Sequence, residues 1–319
     1  KVGAGKRLRV AASKIERPKL GSVAGGRTFE EMPLHEFLKR QLGFLGFKEC
    51  TPIQALAIPA ALSRAEGEAS AAGSNKAARR KRATATSPYR DMLLRAPTGS
   101  GKTLAFLLPV LHRLIGLGAK RDDGTLAVVL SPTKELALQT EKVAKDLLRM
   151  VPSMVVSSVA GGEKPKSEKA RLRRGATLLC ATPGRLTYHL EHTSALKTTG
   201  FCCLVLDEAD RLLDMGFDRQ VRQIYHGLAG KHAGDNDLMM MDGDNVVKKK
   251  REPVQTLLVS ATLSQGVRKL AGFCLRKGAF WADPEDEAGQ EGKPPGEDAE
   301  DGTLAVLPAS LTQWYVEVP

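Results

Sequence analysis

The 319 residues carry 48 Lys+Arg against 36 Asp+Glu, a net charge of +12, and their 42% hydrophobic content excludes a wholly disordered chain and leaves material for a core. The longest apolar stretches, such as Leu104–Leu111, fall short of the ~20 residues a membrane span needs, and the five scattered cysteines (Cys50, Cys180, Cys202, Cys203, Cys274) form no CxxC pair. A soluble, intracellular protein with no membrane partner, no disulfide framework and no zinc is expected.

In chain order, residues 1–28 hold eight bases and one acid and read as a basic extension, either a solvated tail or the remainder of a transit peptide. With no initiator Met, the chain reads as a fragment or a processed product. Residues 29–281 alternate short apolar runs with helical patterns, which predicts an α/β domain with a parallel sheet covered by helices on both faces. Strands are expected at Met92–Arg95, Leu126–Ser131, Met154–Ala160, Thr177–Ala181, Cys202–Leu206 and Thr256–Ser260. Two polar insertions interrupt the pattern. One, about 64–90, contains Arg79, Arg80, Lys81 and Arg82 in a row; the other, about 232–253, sets four aspartates before Lys248–Arg251 around a Met239–Met241 triplet. Both are expected to be loops. Residues 282–303 hold nine acids against one lysine, so the rest of the chain is more basic than its net charge shows and favours a polyanionic partner.

The first strand runs into Ala96-Pro97-Thr98-Gly99-Ser100-Gly101-Lys102-Thr103, and apolar residues then recur at helical spacing (Leu104, Leu107, Leu108, Leu111, Leu114). A strand, a glycine-containing loop and a helix N-terminus together make a polyphosphate cradle. Backbone N–H groups from Thr98 to Gly101 close on the phosphates, Lys102 pairs with the β/γ-phosphates and the Thr103 hydroxyl ligates Mg²⁺. Such a site needs a second strand bearing carboxylates. Cys202–Leu206 supplies it and ends in Asp207-Glu208-Ala209-Asp210, where Asp207 is placed to hold Mg²⁺ and Glu208 to act on the attacking water.

Taken with Pro132-Thr133-Lys134-Glu135-Leu136-Ala137, Gly161-Gly162, Thr182-Pro183-Gly184-Arg185 and Ser260-Ala261-Thr262 in this order, these residues resemble the DEAD-box ATP-dependent RNA helicases over roughly 29–282. The resemblance implies a RecA-like P-loop NTPase domain that binds ATP, Mg²⁺ and RNA. Upstream, Gly46-Phe47-Lys48-Glu49-Cys50-Thr51-Pro52-Ile53-Gln54 is similar to the family's adenine-reading motif. Gln54 is then expected at the adenine edge, with Phe29 and Phe47 as the accompanying aromatics. By the same resemblance, Pro132, Thr133, Lys134, Gly161, Gly162, Thr182, Gly184 and Arg185 line the RNA path, contacting its backbone without reading sequence. Lys134 stands where the family usually has Arg. Ser260 and Thr262 are expected to couple nucleotide state to strand separation through hydrogen bonds to Asp210. His189 and His192 have no third ligand at metal spacing and are expected to be exposed helix residues.

The family's core is two similar lobes, and 307–319 resembles the entry into a second lobe whose arginines would complete the γ-phosphate site. The chain is therefore expected to be the first lobe, nearly inactive alone. Basic insertion in a family that binds RNA suggests docking on a larger ribonucleoprotein, and the phrase from Ser260 to Val267 with the ending 307–319 is reminiscent of members acting in large-ribosomal-subunit maturation. That implies a pre-ribosomal or other large ribonucleoprotein partner and a nuclear or nucleolar location, with the mitochondrion as alternative. A clamp or assembly-factor scaffold that holds RNA with little unwinding is the other reading of the same residues.

Overall fold

Short apolar runs bounded by turns build the sheet. A computed structural model describes residues 26–64, 89–228, 253–276 and 278–283, together with the backbone of 237–242 and 245–250. The basic extension up to residue 25, the first insertion from 65 to 88, and the acidic run and presumptive lobe entry from 284 onward lie outside the described residues.

Seven strands form one parallel sheet: β1 (Met92–Arg95), β2 (Ala127–Leu130), β3 (Val156–Val159), β4 (Leu178–Ala181), β5 (Cys203–Leu206), β8 (Gln255–Ser260) and β9 (Phe280–Ala282), in the order β3-β4-β2-β5-β8-β1-β9. Six of them fall within a residue or two of the expected runs. The seventh, β9, is too short to show alternation in sequence and pairs with β1, Met92 opposite Phe280 and Leu94 opposite Ala282.

Successive strand residues point to opposite faces, so both faces of the sheet must be apolar. Met92, Leu94, Ala127, Val129, Leu178, Cys180, Cys203, Val205, Leu257 and Val259 share one core with α1 (Glu36–Phe44), α2 (Pro52–Leu62), α3 (Lys102–Gly116) and α4 (Lys134–Leu147). Leu93, Val128, Leu130, Leu179, Ala181, Leu204, Leu206 and Leu258 share the other with α5 (Pro165–Arg174), α6 (Pro183–His192), α7 (Ala209–Asp214), α8 (Asp218–Leu228) and α9 (Gln265–Cys274). All five cysteines are free thiols, four of them buried in these cores.

The second insertion departs from the expected loop. Asp237–Asp242 (β6) and Asn245–Lys250 (β7) pair antiparallel as a separate hairpin, with Asp242 opposite Asn245. Gly243-Asp244 between them is a composition suited to a two-residue hairpin connection. No helix among the described residues is long and apolar enough to cross a membrane.

Candidate functional site

Every strand of the sheet ends on the same side, and the strand order sorts the candidate residues along that rim. The neighbours β1, β8 and β5 carry the phosphate loop, Ser260-Ala261-Thr262 and Asp207–Asp210. The neighbours β2, β4 and β3 carry Pro132-Thr133-Lys134, Thr182-Pro183-Gly184-Arg185 and Gly161-Gly162. The half expected to bind nucleotide and the half expected to line an RNA backbone meet where β5 pairs with β2.

In the nucleotide half, Gly99 and Gly101 have φ of 79° and 93°, the left-handed region that a side chain disfavours. Gly101 has a second reason to be glycine, because a Cβ there would collide with the Gln54 amide. Ser100 Oγ donates to the Pro97 carbonyl at 2.8 Å and fixes the turn. Lys102 Nζ is buried and donates to the Ala96 carbonyl at 2.7 Å, bringing the ammonium under its own loop.

The charges in this half are poorly compensated. Burial holds the Lys102 ammonium below its ordinary value, against the opposing pull of Asp207, Glu208 and Asp210. Burial and the Glu208 charge push the Asp207 carboxyl up to about 7, although Lys102 and a backbone N–H act the other way. A buried carboxylate short of positive charge beside a phosphate loop fits a divalent cation, and a buried ammonium under that loop fits phosphate oxygens.

Glu208 is the only non-glycine with positive φ among the described residues, at φ 49° and ψ 56°. This strained backbone turns the chain directly from β5 into α7. Its carboxylate is tied to Arg211 Nη1 at 2.7 Å, a partner the sequence reading did not supply. Asp210 performs the expected junction: its Oδ2 accepts from Thr262 Oγ1 at 3.1 Å, from the Thr262 N–H at 3.0 Å and from the Ala261 N–H at 3.1 Å. Ser260 does not join it, since its hydroxyl donates to the Thr262 carbonyl at 2.7 Å and so shapes the turn instead.

Gln54 sits at the third position of α2, where its Oε1 accepts the Thr51 N–H at 2.9 Å and its Nε2 donates to the Gly101 carbonyl at 3.0 Å. Each end of the amide keeps one further hydrogen-bonding position. Phe47 is 44% exposed, whereas Phe29 is 2% exposed and belongs to the core. Phe29, the aromatic expected to stack on adenine, has its N–H bonded to the Lys48 carbonyl and its ring packed in the core.

In the other half, Thr133 caps α4 by accepting the Leu136 N–H at 3.3 Å. Gly161 and Gly162 both have positive φ, and a Cβ on Gly162 would strike the Lys134 ammonium, so Lys134 reaches the Gly161-Gly162 turn. Thr182 and Pro183 open α6 with the proline at its first position, where the missing N–H costs nothing.

Arg185 is paired with Glu168, a residue that sequence reasoning missed. His189 also contradicts its expectation. It is fully buried, with Nε2 2.9 Å from Glu168 Oε2 and Nδ1 2.9 Å from Thr193 Oγ1, whereas His192 is exposed as expected. The spacing Leu186, His189, Thr193 was the available signal, because residues three and four apart share the buried face of a helix.

The DEAD/DEAH box helicase family model matches residues 51–270. Among curated proteins, the ATP-dependent RNA helicase dbp7 of Emericella nidulans is 41% identical over 242 residues, covering 72% of this chain and 29% of that protein. Its namesake in Sclerotinia sclerotiorum is 39% identical over 235 residues, covering 72% of this chain and 26% of that protein. The chain therefore spans under a third of the length of these relatives. Among solved structures, the yeast DEAD-box splicing factor Prp28 superposes with a TM-score of 0.60 at 30% identity, covering 81% of this chain and 52% of that one. Mss116p bound to ssRNA and AMP-PNP gives 0.63 at 27% identity, covering 82% and 46%. A RecA-like parallel sheet, a phosphate loop facing Asp207–Asp210 and a family match over most of the chain agree, and the chain belongs to the DEAD/DEAH box helicase family.

Proposed function

We propose that the whole protein is an ATP-dependent RNA helicase that binds ATP and RNA side by side along the strand-end rim of this domain. The observation that carries the reading is the strand order, in which β5, ending in Asp207–Asp210, lies directly beside β2, which leads into Pro132-Thr133-Lys134. The relatives named as ATP-dependent RNA helicases support it.

In this reading Thr98–Thr103 enclose the ATP phosphates, Lys102 pairs with their charge, and the spare donor and acceptor of Gln54 read the adenine edge, with Phe47 beside it. Thr103 and Asp207 would hold Mg²⁺, which when bound supplies positive charge at the transferred phosphate. Glu208 orients the attacking water after leaving Arg211. Pro132, Thr133, Lys134, Gly161, Gly162, Thr182, Gly184 and Arg185 grip the RNA sugar-phosphate chain. Thr262 and Asp210 couple the two halves, Ser260 supporting them through the turn. Completion of the γ-phosphate site falls to arginines of a second lobe, and such arginines contribute about 10³–10⁵ in rate in related chemistry. Residues 1–319 alone should then bind ATP but turn it over very slowly.

The basic first insertion and the resemblance carried by Ser260–Val267 and 307–319 favour work on a pre-ribosomal particle, which would place the protein in the nucleolus.

The test is RNA-stimulated ATPase and duplex separation by the full-length protein. Lys102→Ala should abolish ATP binding, whereas Glu208→Gln should keep ATP and RNA binding and slow turnover by roughly 10²–10⁴. ATPase indifferent to RNA, or equally stimulated by matched DNA, would refute the proposal. Stimulated hydrolysis without strand separation would instead select the clamp reading.

A further inference from the structure

Helix α5 carries Lys166, Lys169, Arg171, Arg173 and Arg174, and Glu168 is its single acid. This acid does not face solvent among them. Glu168 and Leu172, four residues apart, occupy the buried face of the helix, and the Glu168 side chain is 1% exposed. A carboxylate at that depth is tolerated only when its lone pairs are filled.

The donors that fill them come from two other segments. Glu168 Oε2 accepts from Arg185 Nε at 3.1 Å, from Arg185 Nη2, and from His189 Nε2 at 2.9 Å; Oε1 accepts the Gly161 N–H at 3.4 Å. Burial alone would raise the Glu168 pKa, yet the bonds from Arg185 and His189 hold it below the usual carboxylate range. The Arg185 guanidinium also lies over the Tyr188 ring, 5.1 Å from its centroid. Arg185 is thus fixed on two sides while Nη1 and the second Nη2 hydrogen are not used by Glu168. Without the carboxylate, nothing binds the Gly161-Gly162 turn to the start of α6 in this way.

We propose that Glu168 is a positioning residue for RNA binding, locking the Gly161-Gly162 turn and the Arg185 guanidinium into one rigid unit whose remaining N–H donors meet an RNA phosphate. This rests on the reading of Gly161 and Arg185 as RNA-backbone contacts. A planar fork held by one edge presents its other edge without a further loss of side-chain freedom, which is how a residue that never touches RNA raises affinity for it.

The test is a double-mutant cycle in the full-length protein, reading affinity for a labelled single-stranded RNA in the presence of AMP-PNP. Glu168→Ala should weaken RNA binding roughly tenfold, Glu168→Gln, which retains an acceptor, should recover most of it, and nucleotide affinity without RNA should not change. On an Arg185→Ala background, Glu168→Ala should have no further effect. Equal losses in both backgrounds would overturn the proposal, as would tighter RNA binding by Glu168→Ala, which would make the carboxylate a competitor of phosphate. If Arg185→Ala alone leaves RNA affinity intact, the contact assignment itself falls and the proposal with it, while RNA-stimulated ATPase still judges the helicase reading separately. Should Glu168→Ala not fold, the same cycle is read with Glu168→Gln, whose residual loss of roughly twofold should vanish on the Arg185→Ala background.

Discussion

His189 is held by hydrogen bonds at both ring nitrogens, and burial keeps it below the ordinary histidine value of 6.5 despite the Glu168 carboxylate. The folded protein therefore favours the neutral ring, whereas the unfolded chain takes up a proton as pH falls through 6.5. The stability this contributes is complete above that value and is lost below it. Glu168, also held below its ordinary 4.5, is lost in the same direction at lower pH. The melting temperature should thus fall between about pH 7.5 and pH 5, and His189→Gln should narrow that fall; an unchanged slope in differential scanning fluorimetry would contradict it. Residues whose type is dictated by chemistry, such as Lys102, Asp207 and Thr262, were legible in sequence because few alternatives do the same work at that spacing. Their partners were not. Glu168 lies 17 residues from Arg185 and 21 from His189, so only the packing of α5 on α6 could reveal the cluster.

Asp91, just before β1, shows the same limit one level up. Its carboxylate is 1% exposed and accepts the Thr256 N–H of β8 at 2.8 Å, and the N–H of Arg276 at 2.8 Å and its guanidinium at 2.5 and 3.0 Å. One side chain thereby fastens β8 and the chain leading into β9 to the strand that feeds the phosphate loop. Asp91→Ala would leave a partly buried guanidinium and two backbone donors unpaired, a loss of about 3 kcal/mol. That corresponds to a melting temperature lowered by roughly 6–12 °C, and a shift under about 2 °C would show that water replaces the carboxylate. The inner strands were legible because burial on both faces demands near-continuous apolar runs such as Leu257-Leu258-Val259. Strand β9 was not, because Phe280-Trp281-Ala282 is three residues whose identity as a strand comes from pairing with β1. The hairpin β6–β7 escaped because its charged ends outweighed the short two-residue connection.

The whole domain accommodates its first insertion at a point already closed by backbone contacts. Arg64 and Tyr89 form an antiparallel bridge, and the Arg90 N–H donates to the Ser63 carbonyl at 3.1 Å. Closing a loop costs entropy that grows only slowly with its length. Replacing 65–88 with a short Gly-Ser linker should therefore leave the melting temperature within about 3 °C and ATP affinity unchanged. If the protein works on pre-ribosomal particles as proposed, this replacement should weaken its co-sedimentation with them, and undiminished co-sedimentation would remove the docking role.

The pairing of β9 with β1 also ties a second segment to the strand that feeds the phosphate loop. Arg95, the last residue of β1, donates to Asp283 at 3.0 Å just before the phosphate loop begins. The end of β9 is thus tied by an ion pair to the strand end that carries the phosphate loop, and a displacement of one is transmitted to the other without any contact to nucleotide.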